Sequence, residues 1–215
     1  EDRNAFIKGS ATAPNAVREQ LYQLAKINRG LQVYDLGNLK NGGSVNDSYF
    51  ALRDIFLELW ERKIRVLLLG GSQDLCKGVF LAMEKDPDFH HVLSIDSMLD
   101  FSNGGETFHS RNYLNHLLTP ENRERFTFTN LGHQVYFTSP AQLEQLDKLH
   151  LECIRLGTAR KDLRLADPLI RDARFLSLYL VVHFPEVLKG CIDVRDISQV
   201  KRCNEIRSSL VDLEA

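Results

Sequence analysis

Apolar runs of strand length alternate with helix-period stripes from about residue 31 to residue 182, and that alternation restricts the fold more than any other feature. Residues 31–36 read as a strand closed by Gly37, and residues 64–69 (Ile-Arg-Val-Leu-Leu-Leu) as a near-continuous apolar run closed by Gly70-Gly71. A nearly continuous apolar run of this length is how a strand buried on both faces reads. Further strands are expected at 91–95, 126–131, 151–156 and 175–182. Helices are expected between them, at 14–27, 46–63, 72–85, 140–149 and 158–170. In the helix over 46–63, Tyr49, Leu52, Ile55, Phe56, Leu59 and Trp60 form one stripe, and Asn46, Asp47 or Ser48 is its expected cap. Strand–helix alternation predicts an α/β domain: three layers, α/β/α, around a mainly parallel sheet. The 215 residues suffice for one such domain with a sizeable core, and no linker divides 1–215.

Charge and composition exclude several classes of function. With 27 basic and 29 acidic residues the formal net charge is -2. This balance argues against nucleic acid or an anionic membrane as a partner. No apolar run approaches the ~20 residues of a membrane span. The opening Glu-Asp-Arg-Asn-Ala-Phe has no signal-peptide pattern. Cys76, Cys153, Cys191 and Cys203 lack metal-site spacing and read as reduced thiols, so a cytoplasmic setting is expected.

In an open parallel sheet, ligands sit beyond the carboxyl ends of the strands. Gly70–Asp74, Asp96–Asp100 and the stretch after Ser177 fall there. His90-His91 precede a strand and read as surface. His109, His116 and His133 show no spacing that makes a cluster.

Five segments, in order, resemble the arginase, agmatinase and formimidoylglutamase family, the ureohydrolases. Gly9 to Arg18 is similar to the family's Gly-x-x-x-Ala-Pro-x-x-Ile-Arg opening, and Asp35-Leu36-Gly37 to its first-strand ending. Gly70-Gly71-Ser72-Gln73-Asp74 takes the place of Gly-Gly-Asp-His-Ser, and Ile95–Phe101 that of Ile-Asp-Ala-His-x-Asp. Arg171–Leu178 resembles the approach to the last metal-binding strand. The resemblance implies an arginase-like fold, assembly as a homo-oligomer, and two Mn2+ ions bridged by hydroxide and held by two histidines and four aspartates. Placed one by one, these six ligands fall on Gln73, Asp96, Met98, Asp100, Tyr179 and Val181. Only Asp96 and Asp100 are kept. His109 stands near the family's proton-shuttling histidine. The family's domain runs on past its Asp-x-Asp strand, so the chain reads as short at its C-terminus.

A neutral amide, a thioether, a phenol and an isopropyl group are poor partners for hard dications. The leading expectation is therefore a family member with a degenerate metal site and no cofactor, acting as a non-catalytic binding or assembly protein. The alternative is a Mn2+-dependent hydrolase of guanidino or formimino C–N bonds, with metal at Asp96 and Asp100 and His109 shuttling protons. A substitute mononuclear site would add His183. A third expectation is a sensor that holds a small-molecule ligand in the emptied pocket.

Overall fold

The computed structural model describes residues 1–6, 8–24, 32–88, 90–102, 106–119, 122, 124–149 and 151–179. Backbone contacts group the chain into two compact units. One comprises Glu1–Pro87 with Asp100–Asn122, the other Asp88–Leu99 with Arg123 onward.

The second unit carries the sheet. β1 (His90–Ile95), β2 (Phe126–His133), β3 (Glu152–Arg155) and β4 (Phe175–Leu178) pair in the order β3-β2-β1-β4, every pairing parallel. Parallel neighbours need long crossovers. Those in this unit run through helices Pro140–Leu149, Leu156–Lys161 and Ala166–Asp172. One sheet face is apolar: Leu93 and Leu131 pack with Ala159 and Ala166, flanked by Ile95, Ile154, Leu169 and Ile170. On the other face the paired row Ser177–Ser94–Asn130–Cys153 crosses all four strands. A row of small and polar side chains at mid-sheet gives this face a different character from its apolar counterpart.

The first unit is helical among its described residues. α1 spans Ala13–Leu21, α2 Val45–Glu61, α3 Cys76–Met83 and α4 Leu114–Leu117. The crossovers of the second unit continue the numbering as α5 (Pro140–Leu149), α6 (Leu156–Lys161) and α7 (Ala166–Asp172). α2 starts one turn-defining residue earlier than expected. Its cap is Ser44, whose hydroxyl accepts the Asp47 N–H while Asp47 accepts the Ser44 N–H, a reciprocal capping box. The buried stripe is Tyr49, Leu52 and Phe56, and α2 packs on α3, whose Val79, Phe80 and Met83 are buried as well. Phe80 also stacks on Tyr113, ring centroids 6.2 Å apart. Full burial of each large apolar side chain stabilises by about 1.5–3 kcal/mol.

Four expectations need correction. His90, expected at the surface, is buried at the start of β1, its ring stacked on Phe126 of β2. Residues 32–36 and 64–69 form no ladder: Val33, Tyr34, Leu36 and Leu67 are all at least 67 % exposed. Their apolar character encodes a demand for burial, but a strand exists only where a partner edge accepts it. The helix expected over 158–170 is two helices, because Asp162 is extended (φ -144°, ψ 96°) and its carboxylate caps the next turn through the Arg164 N–H. The helix expected from residue 72 opens as a 3-10 turn at Gln73–Leu75. Residues 25–31 and those from 180 onward lie outside the described residues, so the ends of the 14–27 helix and of the 175–182 strand do too.

Candidate functional site

The two units each hold part of the sequence-predicted site. Gln73, Asp100 and His109 belong to the first, and Asp96, Met98 and Tyr179 to the second. Val181 and His183 lie outside the described residues.

In the first unit the Gly70–Asp74 loop is built into a buried polar network. Asp74 is fully buried, and its two oxygens accept the Tyr49 hydroxyl at 2.5 Å and the Ser72 hydroxyl. Tyr49 in turn accepts Asn4 Nδ2 at 2.9 Å. Burial raises the Asp74 carboxyl above the usual carboxylate range, and burial beside Asp74 raises the Tyr49 phenol. Gln73 is buried next to them, its Nε2 3.5 Å from the Tyr113 hydroxyl. At Gly71 a Cβ would lie 1.9 Å from the Glu1 carbonyl oxygen, which leaves no space there for a side chain. Asp100 is buried, and its carbonyl accepts the Leu114 N–H at the start of α4. His109 is held by its own loop. Nδ1 accepts the Arg111 N–H at 3.1 Å, Nε2 lies 3.5 Å from Glu106, and the ring tilts against Phe6.

In the second unit the loop after β1 is pinned from several sides. Asp96 is 4 % exposed, and its Oδ1 accepts the Met98 N–H at 2.9 Å. The Asp96 N–H continues the ladder to Leu131 O, and Gln134 N donates to Ser97 O at 2.9 Å. Asn130 Nδ2 donates to Met98 O, and Gln142 Nε2 of α5 to Leu99 O. Tyr179 follows β4, its N–H on Ile95 O.

Among the described residues, no three His, Cys, Asp or Glu side chains converge in a way that could hold a metal ion. Sequence reasoning missed the Tyr49–Asp74 pair and His133. A signal for the latter existed, since a lone glycine within a strand pattern, here Gly132, marks a bulge that re-aims its neighbours.

The sequence pattern of the Arginase family matches residues 1–161. The chain belongs to that family. Solved structures agree on the fold. This arginase-family chain is similar to formiminoglutamase of Trypanosoma cruzi, solved with Mn2+, at 20 % identity and TM-score 0.69, covering 78 % of this chain and 63 % of that one. Formimidoylglutamase of Bacillus subtilis gives 15 % identity and TM-score 0.68, with 82 % and 61 % covered. Agmatine ureohydrolase of Thermoplasma volcanium gives 17 % and 0.63, with 82 % and 62 % covered. The chain thus spans between three fifths and two thirds of the length of these structures. No curated protein matches it. No described helix is long and apolar enough to cross a membrane.

Proposed function

We propose that this ureohydrolase-family chain has given up most of the binuclear manganese site and serves as a non-catalytic binding or assembly protein, a cytoplasmic homo-oligomer. The observation that carries the reading is the chemistry of the side chains at the family's ligand positions. A binuclear site needs hard, mostly anionic donors around two dications ~3.5–4 Å apart. Gln73 brings a neutral carboxamide packed by Tyr113, and Met98 a soft thioether. Tyr179 brings a phenol, whose reference pKa is near ~10. Asp96 and Asp100 are left as carboxylates, and one oxygen of Asp96 serves its own loop by accepting the Met98 N–H. This donor set does not fit two Mn2+ ions, and no catalytic step is derived through them.

The competing reading is a metal-dependent hydrolase acting on guanidino or formimino C–N bonds. It is favoured by the retained Asp96 and Asp100 and by the similarity to formiminoglutamase structures solved with Mn2+. Elemental analysis after manganese loading separates the two, run with turnover assays on arginine, agmatine and formiminoglutamate and with light scattering for assembly. The non-catalytic reading expects no turnover, no stoichiometric manganese pair and a defined oligomer. Two manganese ions per chain with turnover would replace it by the hydrolase.

A further inference from the structure

Beside the family positions, β2 presents two buried acceptors for which the described residues supply no donor. They are Oδ1 of Asn130, 1 % exposed, and Nδ1 of His133, 5 % exposed. A buried polar atom without a partner costs about 1–3 kcal/mol, so such atoms usually mark water, an ion or a ligand.

The backbone puts the two on one face. Asn130 pairs with Cys153 and Leu131 with Ile154, but the next partner of β3, Arg155, pairs with His133. Gly132 is the extra residue, at φ 111°, a conformation that favours glycine. The bulge shifts the alternation by one, so His133 falls on the same face as Asn130 instead of the opposite one. That face is the polar one, with Ser94 and Ser177 in the row of Asn130. Asp96, two residues beyond Ser94, flanks the bulge: its N–H is bonded to Leu131 O, and its carbonyl oxygen is 3.5 Å from where a Cβ on Gly132 would stand.

Each side chain is anchored through its other polar atom. Asn130 spends its Nδ2 on Met98 O at 3.3 Å. The other ring nitrogen of His133 is engaged by the backbone at Ile154. A ring N–H fixed on a backbone carbonyl sets the tautomer and leaves the second nitrogen as a bare lone pair, which is how metal-ligating histidines are commonly held.

We infer that Asn130 Oδ1 and His133 Nδ1 anchor a single divalent cation at the carboxyl end of β2, with Asp96 supplying the carboxylate charge. One imidazole, one amide oxygen and one carboxylate, completed by water, suit a borderline ion such as Zn2+ or Co2+. Arg155, the register partner of His133 and exposed, opposes a cation, so the carboxylate of Asp96 is required for charge balance. This site uses neither histidine position of the family and differs from a binuclear manganese centre in stoichiometry and donors.

The test is equilibrium dialysis of the metal-stripped full chain against Co2+, read by elemental analysis and by the visible d–d absorption of the bound ion. The expected result is one Co2+ per chain. His133→Gln should weaken it by roughly tenfold or more. Asn130→Asp should tighten it, because a carboxylate replaces the amide oxygen with little change in shape. A gain of affinity cannot come from misfolding, so this second variant stands even where the first destabilises the chain. Absence of bound Co2+, or occupancy indifferent to both substitutions, overturns the inference and leaves the two acceptors to ordered water. Occupancy and spectrum are read without turnover, so failure here and failure of the non-catalytic reading register in different measurements.

Discussion

Replacing Gly78 by alanine should destabilise the protein, although helix propensity alone predicts the reverse. Gly78 lies in α3 where that helix meets α2. A Cβ built there falls 2.7 Å from Leu52 Cβ and 2.8 Å from the Tyr49 carbonyl oxygen. Ordinary contact begins near 3.4 Å, and neither obstacle is the far end of a flexible side chain, so the two helices must separate by about 0.7 Å. Overpacking of this kind costs about 1–3 kcal/mol. Glycine to alanine in a helix interior returns up to about 1 kcal/mol. The net loss, taking the full propensity return, is up to about 2 kcal/mol, which for a chain of this size lowers Tm by up to roughly 8 °C. The matched control is Gly157→Ala in α6, where nothing lies within 4 Å of the new Cβ. There only the propensity term operates, and stability should hold or rise by a few tenths of a kcal/mol. Thermal and denaturant unfolding of both variants beside the parent measure the difference. An unchanged or raised Tm for Gly78→Ala would show that α2 and α3 do not approach closely, and the argument for this glycine would fall.

Three further outcomes are expected. Because burial raises the Asp74 carboxyl, its contribution to stability is complete below its unfolded value near ~3.9 and is lost as pH rises through the raised folded value. Asp74→Asn should remove that part of the pH dependence, and parallel stability-versus-pH curves for the two proteins would contradict it. Burial pushes the Cys153 thiol up to about 12, so peptide mapping after iodoacetamide at pH 8 should find it almost unmodified. Prompt alkylation of the folded chain at this position would refute the assignment. Ser44→Ala breaks the capping box of α2 and should cost about 1 kcal/mol in denaturant titration, while Ser44→Thr should retain most of the stability.

Much of the fold was legible because its signals are local. The stripe of Tyr49, Leu52 and Phe56 announces α2, and the runs at 91–95 and 126–131 announce the central parallel pair. The motifs from Gly9 to Leu178 pointed to the family to which the chain belongs, and residues 1–161 match its pattern. Other features were not legible, for reasons that are also physical. Ile64–Leu69 satisfies every local criterion for a buried strand, yet a ladder needs an edge to join, and no local pattern names that edge. Ser44 was passed over as the cap of α2 because Asn46, Asp47 and Ser48 are all competent caps. The choice fell to the residue whose backbone is extended, at φ -110° and ψ 162°.

His133 marks the division most clearly. The sequence by itself determined that an imidazole follows a glycine at the end of an apolar strand, and that two aspartates, a glutamine and a methionine stand where the family resemblance places metal ligands. Those are matters of composition and order, carried by each residue wherever the chain goes. Only the tertiary structure decided which face His133 occupies. A bulge exists only relative to a neighbouring strand, and it is the pairing of β2 with β3 that makes Gly132 the extra residue. The same holds for the nitrogen that is left without a donor, since the other is engaged by Ile154, twenty-one residues further along the chain. Side-chain chemistry is local, but hydrogen-bond satisfaction depends on which distant groups arrive, and that is fixed only when strands and helices pack.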